Sequence, residues 1–165
     1  MIQALYQAWR VPLLTGSVSS SRILEIGGGL GRTAYYAWRS GARDYTIIDL
    51  PMTGVAQGYF LDRTLGEDSV CLFGEERSGI RVLPQAAFLD ATDRYDLAIN
   101  VDSLTEMAAE TAEAYCSAIK ARAGVFLSIN HETNPFTVCE TCTNVGMPVI
   151  SRTPYWLRRG LQLRP

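Results

Sequence analysis

The sequence predicts an α/β domain built on a doubly wound, mainly parallel sheet, and three observations carry that prediction. Short apolar runs at residues 23–26, 45–50, 80–83, 95–101 and 125–129 alternate with stretches of helical periodicity. The first run breaks into four glycines within five positions, Gly27, Gly28, Gly29 and Gly31, as a strand does when it turns tightly into a helix. The second run closes on an acid, Asp49, followed by Leu50 and Pro51. Strands and helices in this alternation join as parallel neighbours through right-handed crossovers. At 165 residues the chain has the size of one domain.

Ile2, Leu5, Tyr6 and Trp9 fall at helical spacing and Pro12 reads as a stop, giving a short amphipathic helix that must pack on something. Serines at 17 and 19–21 form a linker, so residues 1–20 are an N-terminal helix and linker within the single domain 1–165. After the glycine loop, residues 33–38 predict a helix closed by Ser40-Gly41. Pro51 suits the first turn of a further helix running toward Gly66. Residues 70–73 and 80–83 are both β-like; they fit a hairpin, or one parallel strand and an insertion, with 80–83 the better third strand. A short helix is expected over 86–89 and a buried strand over 95–101. Residues 105–121 predict a long helix with Leu104, Met107, Ala108, Ala112, Tyr115 and Ile119 as its stripe, Ser103 and Glu106 as its capping box, and Gly124 as its end. Residues 133–148 look loop-rich. Val149-Ile150 and Tyr155-Trp156-Leu157 read as short terminal strands, one arrangement being a C-terminal antiparallel hairpin.

A net charge of −2 provides no basic field, so composition does not support a nucleic-acid surface. No apolar run approaches the ~20 residues of a membrane-spanning helix, and the opening Met1-Ile-Gln-Ala-Leu does not show the basic start and long apolar core expected of a signal peptide. The expectation is a cytoplasmic protein whose four cysteines, Cys71, Cys116, Cys139 and Cys142, are reduced thiols. An apolar N-terminal helix bearing Trp9 fits a homodimer and fits packing on its own sheet equally well.

Glycines let backbone approach a ligand closely, because they lack a Cβ and tolerate positive φ. The helix that follows turns unpaired N–H groups toward the same ligand. A dinucleotide site wants Gly-x-Gly-x-x-Gly, but Gly27, Gly29 and Gly31 sit two apart and Arg32 stands where the last glycine would fall. That weakens a nicotinamide-dependent oxidoreductase without removing it. No Gly-Lys-Ser/Thr follows, which excludes a Walker-type loop. Asp49 lies 22 residues after Gly27, where an acid can accept both ribose hydroxyls. Taken alone it is equally an N-cap for the helix begun at Pro51.

The pattern Glu25-x-Gly27-x-Gly29-x-Gly31 resembles the first motif of the class I S-adenosylmethionine-dependent methyltransferases, which implies a Rossmann-like fold. S-adenosylmethionine has no pyrophosphate, so the loop must admit a zwitterionic methionine end. Glu25 can face its ammonium, directly or through water, while N–H groups of the 27–31 loop, Gly28 included, face its carboxylate. The resemblance places the ribose on Asp49, the adenine on Leu50 and near Gln85, and Asn100 along the same pocket. Segments 24–32, 45–51, 95–107, 126–132 and 155–158 together are similar to a bacterial family of sugar O-methyltransferases. That similarity implies methyl transfer to a hydroxyl of a small-molecule acceptor, a sugar or glycan precursor. A non-catalytic S-adenosylmethionine-binding module remains the third reading.

Open α/β sheets bind ligands beyond the carboxyl ends of their strands. That edge should carry Asn100 and Asp102 after one strand, and Asn130, His131 and Glu132 after the next. His131 is the only histidine, and an imidazole is the side chain most often used as a general base. Its other readings are a loop histidine bonded to backbone or a metal ligand, and Asp102 or Glu132 are the substitute bases. Cys139-Glu-Thr-Cys142 has the spacing of half a zinc knuckle or of a redox pair, but a structural zinc needs two more ligands. Ordinary apolar cysteines, and no metal, are expected.

Overall fold

The apolar runs become six strands in the computed structural model, which describes residues 2–132 and 135–153. They are β1 (Arg22–Ile26), β2 (Asp44–Asp49), β3 (Val70–Leu72), β4 (Ile80–Pro84), β5 (Tyr95–Val101) and β6 (Ala123–Ile129). Their order is β3-β4-β2-β1-β5-β6 and every pairing is parallel. From β1 the chain lays β2 on one side, passes to the outer β3 and inserts β4 between β2 and β3, and then returns to lay β5 and β6 on the other side. The carboxyl ends of β1 and β5 therefore flank a topological switch point, where such sheets bind ligands.

Residues 80–83 are the strand beside β2, as expected, and the hairpin alternative fails: β3 runs parallel to β4 as an added outer strand. Gly79, at φ +133°, passes so close to the start of β3 that a Cβ would lie 2.6 Å from the Ser69 carbonyl carbon. On this outer strand the Leu72 N–H donates to Glu75 Oε2 at 2.7 Å.

Alternation along each strand feeds two cores. Ile23, Tyr45, Ile47, Leu97 and Ile99 pack under α1 (Ile2–Thr15), α2 (Arg32–Arg39) and α3 (Pro51–Leu65). Leu24, Ile26, Ile48 and Ala98 pack under α4 (Gln85–Leu89), α5 (Ala109–Arg122) and α6 (Val138–Asn144). Helices on both faces make the sheet doubly wound.

Several boundaries depart from expectation. Pro12 does not stop α1; burial of Ala8 and Val11 in the core carries the helix past the hydrogen bond that proline forfeits. The packing face of α1 is Ala4, Gln7, Ala8 and Val11, whereas the bulkier Ile2, Leu5 and Trp9 are exposed, Trp9 by 57%. The long helix starts late, because a 3-10 turn at Leu104–Glu106 precedes it. Ser103 makes no side-chain cap, its hydroxyl being bonded elsewhere. Gly124 lies inside β6 rather than after the helix. The loop-rich stretch contains α6, started by a capping box in which Thr137 and Glu140 satisfy each other's backbone N–H. Val149 and Ile150 are not in a strand, Tyr155-Trp156-Leu157 lie outside the described residues, and no antiparallel pairing occurs among the described residues. No helix among them is long and apolar enough to cross a membrane.

Candidate cofactor site at the carboxyl edge of the sheet

The glycine loop is fixed from below and open above. Gly27 N–H donates to the Ile48 carbonyl at 2.8 Å and so bridges the ends of β1 and β2. Gly27 has φ +70°, and a Cβ there would lie 2.1 Å from Ser103 Oγ, so two loops meet at a point only glycine allows. A Cβ on Gly28 would come within 2.8 Å of Ile47 Cγ2 and 3.2 Å of Glu25 Oε2. Gly29, in contrast, is exposed and has nothing within 4 Å of its Cβ position. Gly31 begins α2 in the left-handed region without a side-chain cap, the arrangement that turns first-turn N–H groups toward a ligand.

Asp49 ends β2 half-buried, and the chain grips both of its oxygens. Oδ1 accepts the Leu50 N–H at 2.8 Å and Oδ2 accepts from Gln57 Nε2 at 2.7 Å. The N-cap of α3 is Leu50 and receives no side-chain cap, so Asp49 is not the cap of that helix. Gln57 Nε2 also donates to the Gly29 carbonyl at 2.9 Å, tying acid to glycine loop. Sequence reasoning missed Gln57. Its signal was there: Gly54 and Gly58 mark the face of α3 pressed against the sheet, and Gln57 lies between them. Leu50 is 64% exposed at the rim. Pairing of Asp49 with Pro84 brings half-buried Gln85, the first residue of α4, to the same edge.

Glu25 lies beneath the loop, 3% exposed. It accepts from the Tyr45 hydroxyl at 2.9 Å, and Thr33, which is also bonded to buried Gln7, is its other hydrogen-bonding neighbour. Burial raises the Glu25 pKa to about 7; the Tyr45 and Thr33 hydrogen bonds oppose the rise and the Asp49 charge adds to it. Burial and the facing acid push the Tyr45 phenol upward as well.

The second half of the edge is a knot of amides and hydroxyls. Asn100 is 0% exposed. Its Nδ2 donates to the Ile26 carbonyl and to Ser103 Oγ, and its Oδ1 accepts from Asn130. Asn100 therefore sits beneath the rim, clasping β1, β5 and the end of β6 together. Asp102 holds φ +53°, an uncommon conformation for a residue with a side chain. Its Oδ1 accepts the His131 backbone N–H at 3.1 Å, and His131 Nε2 lies 3.5 Å from Thr105 Oγ1. Asp102 and His131 are thus brought together. Glu132 is not; its carboxylate turns outward to pair with Arg152. Cys139 and Cys142 lie on α6, and Cys142 Sγ is 3.9 Å from Cys116 Sγ of α5. Among the described residues no three His, Cys, Asp or Glu side chains gather to hold a metal.

No known family profile and no curated protein matches the chain. Solved structures do. An amino pentose methyltransferase from Micromonospora echinaspora, bound to S-adenosylmethionine, matches with TM-score 0.59 at 14% identity, over 79% of this chain and 50% of that one. Magnesium protoporphyrin IX methyltransferase from Synechocystis PCC 6803, also with bound S-adenosylmethionine, gives 0.57 at 16%, over 79% and 62%. Mitomycin 7-O-methyltransferase gives 0.54 at 19%, over 86% and 40%. The chain thus spans 40–62% of the length of these three proteins. The likeness establishes the architecture: this chain has the Rossmann-like α/β fold of the S-adenosylmethionine-dependent methyltransferases.

Proposed function

We propose that this domain binds S-adenosylmethionine and transfers its methyl group to a hydroxyl of a sugar or glycan precursor. The observation that carries the cofactor reading is the grip on Asp49. Leu50 N–H and Gln57 use one acceptor position on each oxygen, leaving the second on each for a ribose diol at the rim. Open space over Gly29 and the uncapped start of α2 suit a methionine carboxylate, and Glu25 lies directly beneath Gly28. Leu50 offers an apolar surface for the adenine ring and Gln85 a polar group beside it. The residues fit the cofactor.

Bound there, S-adenosylmethionine supplies an electrophilic methyl on a sulfonium. The chain's own task is to align an acceptor oxygen and take its proton. His131 is the proposed base. The bond from its backbone N–H to Asp102 fixes the loop that carries it, and Asn100 and Asn130 brace that loop from below. Glu132, paired with Arg152, is the weaker substitute. The hydroxyl acceptor rests on the resemblance of segments 95–107 and 126–132 to sugar O-methyltransferases, and an amino pentose methyltransferase among the structural matches supports the sugar part of that reading.

Thermal shifts with S-adenosylmethionine, S-adenosylhomocysteine and NAD test the reading. Stabilisation by the first two is expected; stabilisation by NAD alone refutes it in favour of an oxidoreductase. Stabilisation by S-adenosylhomocysteine, with no methylation of any tested glycan or sugar nucleotide, would point to a binding module.

A further inference from the structure

We propose that Gln57 is a positioning residue that makes this site selective for a cofactor carrying both ribose hydroxyls; the proposal rests on the S-adenosylmethionine reading of Asp49. Gln57 is 0% exposed, yet its Oε1 has no hydrogen-bond partner among the described residues. A buried acceptor left unpaired costs stability, so packing alone favours an apolar side chain of similar volume here. What the amide does contribute is its Nε2, whose two hydrogens go to the Gly29 carbonyl and to Asp49 Oδ2.

Those two bonds solve a specific problem. The terminal torsion of an aspartate is broad and roughly two-fold, so a carboxylate at a strand end rotates readily. Asp49 also stands one residue before the N-cap of α3, where the helix's free N–H groups compete for it. A vicinal diol needs both oxygens presented together in one plane. Leu50 N–H anchors Oδ1 and Gln57 anchors Oδ2, which sets that plane. The same nitrogen holds Gly29, so the ribose acid and the methionine loop keep a fixed separation. Gln57 reaches both because α3 lies close on the sheet. A Cβ on Gly54 would sit 3.3 Å from Val82 Cγ1, and one on Gly58 would sit 2.8 Å from Leu72 Cδ2. Its side chain also leans toward the helix N-terminus, as helical side chains do.

Calorimetric titration of the wild type, Gln57→Leu and Gln57→Glu with S-adenosylhomocysteine and its 2′,3′-dideoxy analogue tests this. Two charge-assisted hydrogen bonds, each about tenfold, predict that the wild type prefers the natural ribose by roughly 100-fold. In Gln57→Leu the preference should fall below about tenfold, with the dideoxy affinity changed less than about threefold. Gln57→Glu keeps the side-chain shape should the leucine variant fail to fold. It should lose the preference at pH 8 and regain part of it at pH 5, where the introduced carboxyl can donate to Asp49. A wild-type preference retained in both variants overturns the proposal, and so does an equal loss for both ligands, the mark of a merely structural role. Failure of the wild type to bind S-adenosylhomocysteine at all overturns the cofactor reading, and this proposal with it.

Discussion

Glu25→Gln isolates the free energy stored in a buried acid. The substitution keeps the shape and an acceptor for the Tyr45 hydroxyl while removing the titrating group. The native pKa is about 7 against an ordinary 4.5, a difference of about 2.5 units. At ~1.4 kcal/mol per unit this corresponds to roughly 3 kcal/mol. The unfolded chain releases this proton near pH 4.5, whereas the native protein keeps it until about 7. Stability therefore falls as pH rises through that window, is fully present below it, and is flat above it. The assay is urea denaturation of wild type and variant from pH 4.5 to 8, read as the difference between their unfolding free energies so that other groups cancel. The variant should gain on the wild type by roughly 3 kcal/mol across the window. A difference that does not change with pH refutes the account of Glu25 as a protonated acid in the native core.

Three further outcomes test the site. His131→Ala should lower turnover by about 10²–10⁴-fold with cofactor affinity intact; near-wild-type turnover removes His131 from the mechanism. Gly28→Ala sets a Cβ against Ile47 and Glu25, so it should cost about 1–3 kcal/mol in thermal unfolding and weaken S-adenosylhomocysteine binding, and an unchanged melt would contradict the tight packing under the loop. Asn100→Leu leaves Ser103 and Asn130 without their amide partner, and should cost about 2–4 kcal/mol by denaturant titration.

The strands were the legible part of this chain because burial on both faces leaves β1, β2 and β5 dense in apolar residues, with single polar residues such as Glu25, Thr46 and Asn100 set among them. The glycine loop and Asp49 were legible because their chemistry is local. What escaped depended on contacts distant in sequence. Nothing near Pro12 announces that Ala8 and Val11 are buried firmly enough to carry the helix through it. Ser103 and Glu106 spell a capping box, but Ile26, 77 residues away, claims the serine hydroxyl. The same holds for Asn100, which reads as a rim residue until its bonds to Ile26 and Asn130 are seen. Helix α6 is a different case: Thr137 and Glu140 are a readable start, masked by polar composition and a short length.

The added outer strand has a consequence for how this one edge of the sheet meets other chains. A sheet edge is a template on which any extended chain can crystallise, and long flat edges invite runaway stacking. β3 offers three residues, and Glu75 folds back over one of them to consume the Leu72 N–H. The carboxylate is locked there by the Arg77 guanidinium, which holds its pKa below the usual range, so it stays an acceptor through ordinary acidity. That short edge, blunted by one side chain, gives a passing strand little to pair with.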